Sequence, residues 1–378
     1  MRHFLHILHI LLLLASPRLI AQSYTLHSPI LNEDRKIQVY LPPNARDSYF
    51  FPRRYPVLYI FDGDAYFGPV SQMTRFMAGD DGLSFPEMIV VAISNTNRNR
   101  DLTPIGGEAF FSFIAHELIP YIDSACPTAP YRILAGHSLG GLIVINTLFH
   151  HPGYFNAYIA GEPSMFWENN RVLKGLKAIH SSASLFLGIA NSPRKDLQPG
   201  PFGRDTVMER FSEKHLQAIQ SLRQLLAHSD LRWSSDYYPQ YDHSTSPLAI
   251  IHEGLRFLFD FYDLGFPGQK FFEPGFKQDS VIAKHYHDIS RRMGYTILPP
   301  EPFMNSLGYT LLSQQQFARA RYFFQLNIDN YPGSANVYDS MGDFYLATGE
   351  QAQAANAFRK CLAIRESAET RAKLEKIL

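Results

Sequence analysis

Cysteine is almost missing from this chain, which has two in 378 residues, Cys126 and Cys361. They fall in what read as different domains, so a disulfide framework is excluded as the basis of the fold. An excess of charge of either sign is missing too. Lys plus Arg and Asp plus Glu number 35 each. With zero formal net charge, no overall field steers the molecule toward nucleic acid or an anionic membrane. His252-Glu253 lacks a second histidine four residues after the first, because position 256 is Arg, which removes a zincin-type zinc site. No Gly-x-x-x-x-Gly-Lys run exists to cradle a phosphate. Neither a metal nor a cofactor is expected. Apolar runs long enough to span a bilayer are absent as well. The one apolar run, residues 4–14, follows Arg2 and His3 and precedes Ser16, Pro17 and a cleavage point after Ala21. Residues 1–21 therefore read as a signal peptide, which predicts a periplasmic or secreted protein without stable membrane insertion. No cysteine follows the run, so nothing suggests a lipid anchor.

What is present is a large apolar fraction, 46% hydrophobic against 19% charged residues, enough for a sizeable core. Within residues 22–262, short apolar runs alternate with helical patterns. Residues 36–41 alternate apolar and polar as a half-buried strand does. Residues 57–61, 88–93, 131–135 and 184–189 are nearly all apolar, as strands covered on both faces are. Phe110, Ile114, Leu118 and Ile122 lie four apart, along one helix face. The alternation predicts an α/β domain, a mostly parallel sheet with helices on both faces. Residues 263–302 crowd glycine and proline around one helix, 279–292, and read as a linker with a buttress. Residues 303–378 repeat themselves. Gly308, Ala320 and Phe324 recur as Gly342, Ala354 and Phe358, each 34 positions on. That period, with small residues at the helix contact, predicts two tetratricopeptide repeats and a capping helix over 371–378. Such a small all-α module offers a groove for a protein partner or for self-association.

The chemistry centres on Gly136-His137-Ser138-Leu139-Gly140-Gly141, which follows one predicted strand and opens a helix. A sharp strand-to-helix turn forces its middle residue into a strained conformation and lifts the side chain above the sheet. Ser138 is the expected nucleophile, and a serine hydroxyl needs a base to take its proton. His243 is the expected base, because it lies between the last strand, 231–238, and the last helix, 248–262, in a loop at the carboxyl edge of the sheet. His137 is expected to point away from the nucleophile. His116, His215 and His252 fall within helical patterns and read as ordinary core or surface residues. The acid is expected after the strand 184–189, at Asp196 or alternatively Asp205, with Asn191 or an acid-free dyad as further options. Two N–H groups should stabilise the oxyanion, one from Leu139 and the other from Asp64 or Gly63. Arg98 and Arg100 stand in a loop after the strand ending near Ile93. There they either hold an anionic substrate or staple the loop.

These features together resemble the putative esterase family of α/β-hydrolases, which includes esterase D, the enterochelin-type siderophore esterases and the mycolyltransferases. The resemblance rests on residues 58–64 and 95–104, the elbow, Pro163-Ser164 with Trp167, and Asp242-His243-Ser244. It implies an α/β-hydrolase fold, catalytic roles for Ser138 and His243, and an oxyanion turn at Asp62-Gly63-Asp64. It also implies a substrate contact at Trp167 and cofactor-free action on small carboxylic esters, with siderophore-type or other anionic esters as candidates. Acyl transfer to an alcohol is the enzymatic alternative. A non-catalytic binding protein working through its repeats is the other.

Overall fold

Five strands of this chain are apolar on both faces, and they form the centre of the sheet. The computed structural model describes residues 21–43, 45, 53–79, 82–192, 206–265, 268–273 and 275–378. Its strands are β1 (Ala21–Ser28), β2 (Glu33–Tyr40), β3 (Tyr55–Ile60), β4 (Ile89–Ile93), β5 (Thr128–His137), β6 (Ala157–Gly161), β7 (Ser184–Ala190) and β8 (Arg232–Tyr238). They join in the order β1-β2-β4-β3-β5-β6-β7-β8. The hairpin β1–β2 runs antiparallel on β4, and every later pairing is parallel.

Alternate side chains of each strand enter opposite cores, as the period of two requires. Val57 and Tyr59 of β3 pack on one face, Leu58 and Ile60 on the other. The helices of the sheet domain are α1 (Gly63–Ala78), α2 (Arg98–Asp101), α3 (Pro104–Phe113), α4 (Ile119–Ala125), α5 (Leu139–His150), α6 (Trp167–Gly175), α7 (Thr206–Leu226) and α8 (Pro247–Leu258). Helices α3, α4, α5 and α7 supply the first core, whereas Val70 of α1 and Ile250, Leu255 and Leu258 of α8 enter the second. Strand order and helix placement are those of an α/β-hydrolase. The expected stripe Phe110, Ile114, Leu118 and Ile122 is buried throughout, across a π-helical turn at Ile114–Leu118 that joins α3 to α4.

The second core continues into the C-terminal part. Helix α9 (Gln278–Met293) contributes Ile282, Ile289 and Met293, and beyond it lie two helical hairpins. These are α10 (Glu301–Ser313) with α11 (Phe317–Asn330), and α12 (Ala335–Ala347) with α13 (Gln351–Ile364), followed by α14 (Ala368–Glu375). Gly308 lies against the Phe324 ring and Gly342 against the Phe358 ring, the 34-residue equivalence read from the sequence. A cavity of about 650 Å³ sits where the hairpins meet the sheet domain. It is lined by Tyr55 and Pro56 at the start of β3, by Tyr295 and Ile297, and by Tyr331.

Candidate active site

Strand β5 ends at His137 and helix α5 begins at Leu139, leaving Ser138 to make the whole turn. Its backbone takes φ 60° and ψ −117°, a conformation that costs an L-residue of order 1–3 kcal/mol and persists only where surroundings hold it. Three main-chain hydrogen bonds hold it here. Ser138 N–H donates to the Gly161 carbonyl at 2.9 Å, and its carbonyl accepts from Leu142 at 2.9 Å and Ser164 at 3.1 Å. Strand and helix approach so closely that a Cβ on Gly136 would lie 2.5 Å from the Gly140 carbonyl carbon and oxygen. The Ser138 hydroxyl, partly exposed, lies 3.3 Å from that of Ser164.

His243 stands in the loop between β8 and α8, whose turn is held by Asp242 Oδ1 accepting from the N–H groups of Ser244 and Thr245. The loop is fastened to the end of β7, since Asn191 N–H donates to the Tyr241 carbonyl at 2.9 Å and its side-chain amide donates to the Pro239 carbonyl. Asn191 thus ties down the loop that carries His243. The His243 ring rests on that of His137, the residue before Ser138, with centroids 4.5 Å apart.

The carboxylate facing His243 is Glu162, at the end of β6, with Oε2 3.3 Å from Nδ1. The sequence reading did not weigh this residue. Asp196 and Asp205, the acids it named, lie outside the described residues. Glu162 is fully buried and takes φ 44°. Its Oε1 accepts from Ala190 N–H at 2.6 Å, and its Oε2 accepts from the Ser192 hydroxyl. His215 Nε2 of α7 lies 3.4 Å from the same Oε2, within ion-pair reach but off hydrogen-bond alignment. Burial by itself would raise the Glu162 pKa. The close approach of His215, with hydrogen bonds from His243 and Ser192, outweighs it and holds the carboxyl well below its usual range. His215, expected as a core or surface residue, is in the core beside Glu162, and His137 lies against His243.

Leu139 opens α5 and Gly63 opens α1 with Asp64 next to it, so their N–H groups fall in first helical turns and have no partner within the helix. The two helix starts adjoin, since a Cβ on Gly140 would lie 3.5 Å from Phe61 Cβ and 3.6 Å from Asp62 Oδ2. The Asp64 carboxylate is turned aside, accepting from Lys36 Nζ at 2.9 Å and Ser94 Oγ at 3.0 Å.

The two loop arginines are engaged by the protein itself. Arg98 grips Asp62 through Nε at 2.6 Å and Nη2 at 3.1 Å, and that Nη2 lies 3.4 Å from the His137 carbonyl. Arg100 pairs with Glu33 at 2.7 and 3.0 Å and with Asp101 at 2.7 Å. Asp101 also meets the buried guanidinium of Arg35 at 2.7 Å. Of the two roles expected for these arginines, the contacts match the staple. Trp167 opens α6 three residues beyond Ser164, half-buried, with Nε1 enclosed and without a hydrogen-bond partner. Among the described residues no group of three or more His, Cys, Asp or Glu is arranged to hold a metal ion.

Comparison with known proteins finds similar esterases and a similar solved structure. The chain is 30% identical over 151 residues to the ferri-bacillibactin esterase BesA of Bacillus subtilis, covering 32% of this chain and 52% of that protein. It is 29% identical over 161 residues to the siderophore triacetylfusarinine C esterase of Aspergillus fumigatus, covering 38% and 55% respectively. The chain thus spans about half the length of these curated relatives. Among solved structures, the IroE-like serine hydrolase from Shewanella oneidensis superposes with a TM-score of 0.61 at 27% identity, covering 81% of this chain and 98% of that one. Residues 28–245, more than half of the chain, match the family described as Putative esterase, and the chain belongs to that family.

Proposed function

We propose that this protein hydrolyses carboxylic esters through an acyl-enzyme on Ser138. His243 takes the hydroxyl proton as Ser138 attacks the ester carbonyl, and it later returns that proton to the leaving alcohol. Glu162 accepts from Nδ1–H, which fixes the tautomer that leaves Nε2 free as the base and stabilises the imidazolium once formed. The N–H groups of Leu139 and of Gly63 or Asp64 receive the charge on the carbonyl oxygen. Water then attacks the acyl-enzyme with His243 again as base. The observation that carries this reading is the meeting of three chain-distant groups at one sheet edge. These are Ser138 on its strained turn, His243 against the ring beside it, and Glu162 at 3.3 Å from Nδ1.

The substrate class proposed is a siderophore-type ester, supported by the relatives that carry that activity in their names. Anion capture by Arg98 and Arg100 is not part of the proposal, because Asp62, Glu33 and Asp101 already occupy them. The two C-terminal hairpins are read as tetratricopeptide repeats on their shared 34-residue glycine–phenylalanine contact. The test is turnover of a siderophore trilactone and a panel of p-nitrophenyl esters, by wild type and Ser138→Ala, with mass spectrometry for an acyl adduct. Turnover that persists in a folded Ser138→Ala variant overturns the mechanism, and a trilactone turned over no faster than simple acetyl esters overturns the substrate class. Product analysis with added glycerol separates hydrolysis from transfer.

A further inference from the structure

His215 is buried on α7, with both ring nitrogens enclosed and neither in an aligned hydrogen bond. A buried imidazole in that state is costly unless its position is used. Its polar neighbour is Glu162 Oε2, 3.4 Å from Nε2, the same oxygen that His243 Nδ1 approaches at 3.3 Å. The ring lies edge-on against Phe166 at 5.6 Å and against His243 at 6.4 Å, away from solvent. Glu162 therefore lies between two imidazoles, with its other oxygen pinned by Ala190 N–H.

We propose that His215 is a positioning residue for the hydrolysis, which turns its Nε2–H onto Glu162 Oε2 and so keeps the carboxylate in the rotamer that meets His243. The inference rests on the catalytic reading above and adds a second imidazole to it. His215 passes no proton to substrate. It shares the Glu162 carboxylate with His243. Among the described residues, the other titratable or charged groups facing this cluster are His137 at the end of β5, with Asp62 and Arg98 beyond it, and the neutral Ser192 hydroxyl after β7.

The test compares His215→Phe, which keeps ring volume and removes the donor, with His215→Gln, whose amide N–H can reach the same oxygen. For the Phe variant we expect kcat on a p-nitrophenyl ester to fall about ten- to hundredfold at unchanged KM. That is the rate equivalent of losing one hydrogen bond to a charged group. The acid limb of its kcat/KM profile should move to higher pH, because the Glu162 charge then serves His243 alone. The Gln variant should recover most of the loss. An unchanged kcat and pH profile in a folded Phe variant overturns the proposal, as does equal loss in both variants together with thermal stability. If the Phe variant does not fold, nitrogen-15 histidine spectra of the wild type decide. A slowly exchanging Nε2–H on His215 is expected, and a rapidly exchanging one overturns the role. His243→Ala run alongside separates the two levels: full activity there overturns the catalytic reading itself, whereas an inactive His243→Ala beside a normal His215→Phe overturns only the role of His215.

Discussion

The imidazole of His137 packs against that of His243, with ring centroids 4.5 Å apart and planes inclined at 48°. Burial first, and the neighbouring His243 second, push the His137 pKa down to about 3, so it stays neutral wherever the protein works.

That depression makes folding sensitive to mild acid. Between an unfolded pKa near 6.5 and a folded value of about 3, the unfolded chain binds more protons at His137, so stability falls as pH falls through that window. Glu162 acts in the same direction at lower pH, because its depressed pKa gives stability that is present above the ordinary carboxylate pKa and lost below it. Thermal melts should therefore begin to drop below about pH 6.5. His137→Asn should flatten the decline between about pH 6.5 and 4.5, by up to about 1.4 kcal/mol per pH unit. Circular-dichroism melts across pH 4–8 check this.

Glu162→Gln keeps the shape of the side chain but offers His243 an amide. The imidazole can then settle in the wrong tautomer, and kcat should fall on the order of 10³- to 10⁴-fold with KM little changed. Steady-state kinetics on a soluble ester check the loss, and a melt confirms that the fold persists.

Arg98 and Arg100 should separate on substitution. Arg98→Ala leaves Asp62, mostly buried beside the elbow, with the Asn95 amide as its one side-chain donor among the described residues. Stability should fall by about 1–3 kcal/mol, between the values for exposed and buried pairs. Because Asp62 directly precedes the helix that opens with Gly63, kcat should fall too. Arg100→Ala should lower stability and leave kcat and the ranking of anionic against neutral esters unchanged. Melts and a charge-varied ester panel distinguish the two.

The hairpin contact is equally testable. A Cβ on Gly342 would lie 2.3 Å from a carbon of the Phe358 ring, so one of the two must move. Gly342→Ala should destabilise by about 1–3 kcal/mol through overpacking, less the ~1 kcal/mol that alanine returns in a helix interior. Adding Phe358→Leu should relieve part of it. Differential scanning calorimetry of the single and double variants is the measurement.

The elbow, the loop that carries His243 and the 34-residue period were legible because each is a local pattern with a fixed backbone consequence. Gly136 and Gly140 bracket a serine, His243 follows the final strand, and glycine and phenylalanine recur at one spacing. The carboxylate that faces His243 was not legible. It follows β6, Ala-Tyr-Ile-Ala-Gly, whose small residues give little strand signal, and a missed strand hides the residue at its end. A lone carboxylate in Gly161-Glu162-Pro163 between two apolar segments was the available clue. The edge strand β1 was missed for a different reason: its pattern abuts the N-terminal apolar run. Whether a loop arginine is free or engaged depends on carboxylates such as Glu33, 67 positions away, which no local window contains.

The interdomain cavity opens where β3 begins, and the reactive turn lies where β5 and β6 end. The hairpins therefore meet the sheet domain at the edge opposite that turn. A molecule tethered to a surface by its C-terminal helices would hold its mouth toward the surroundings, so immobilisation through that end should leave turnover intact.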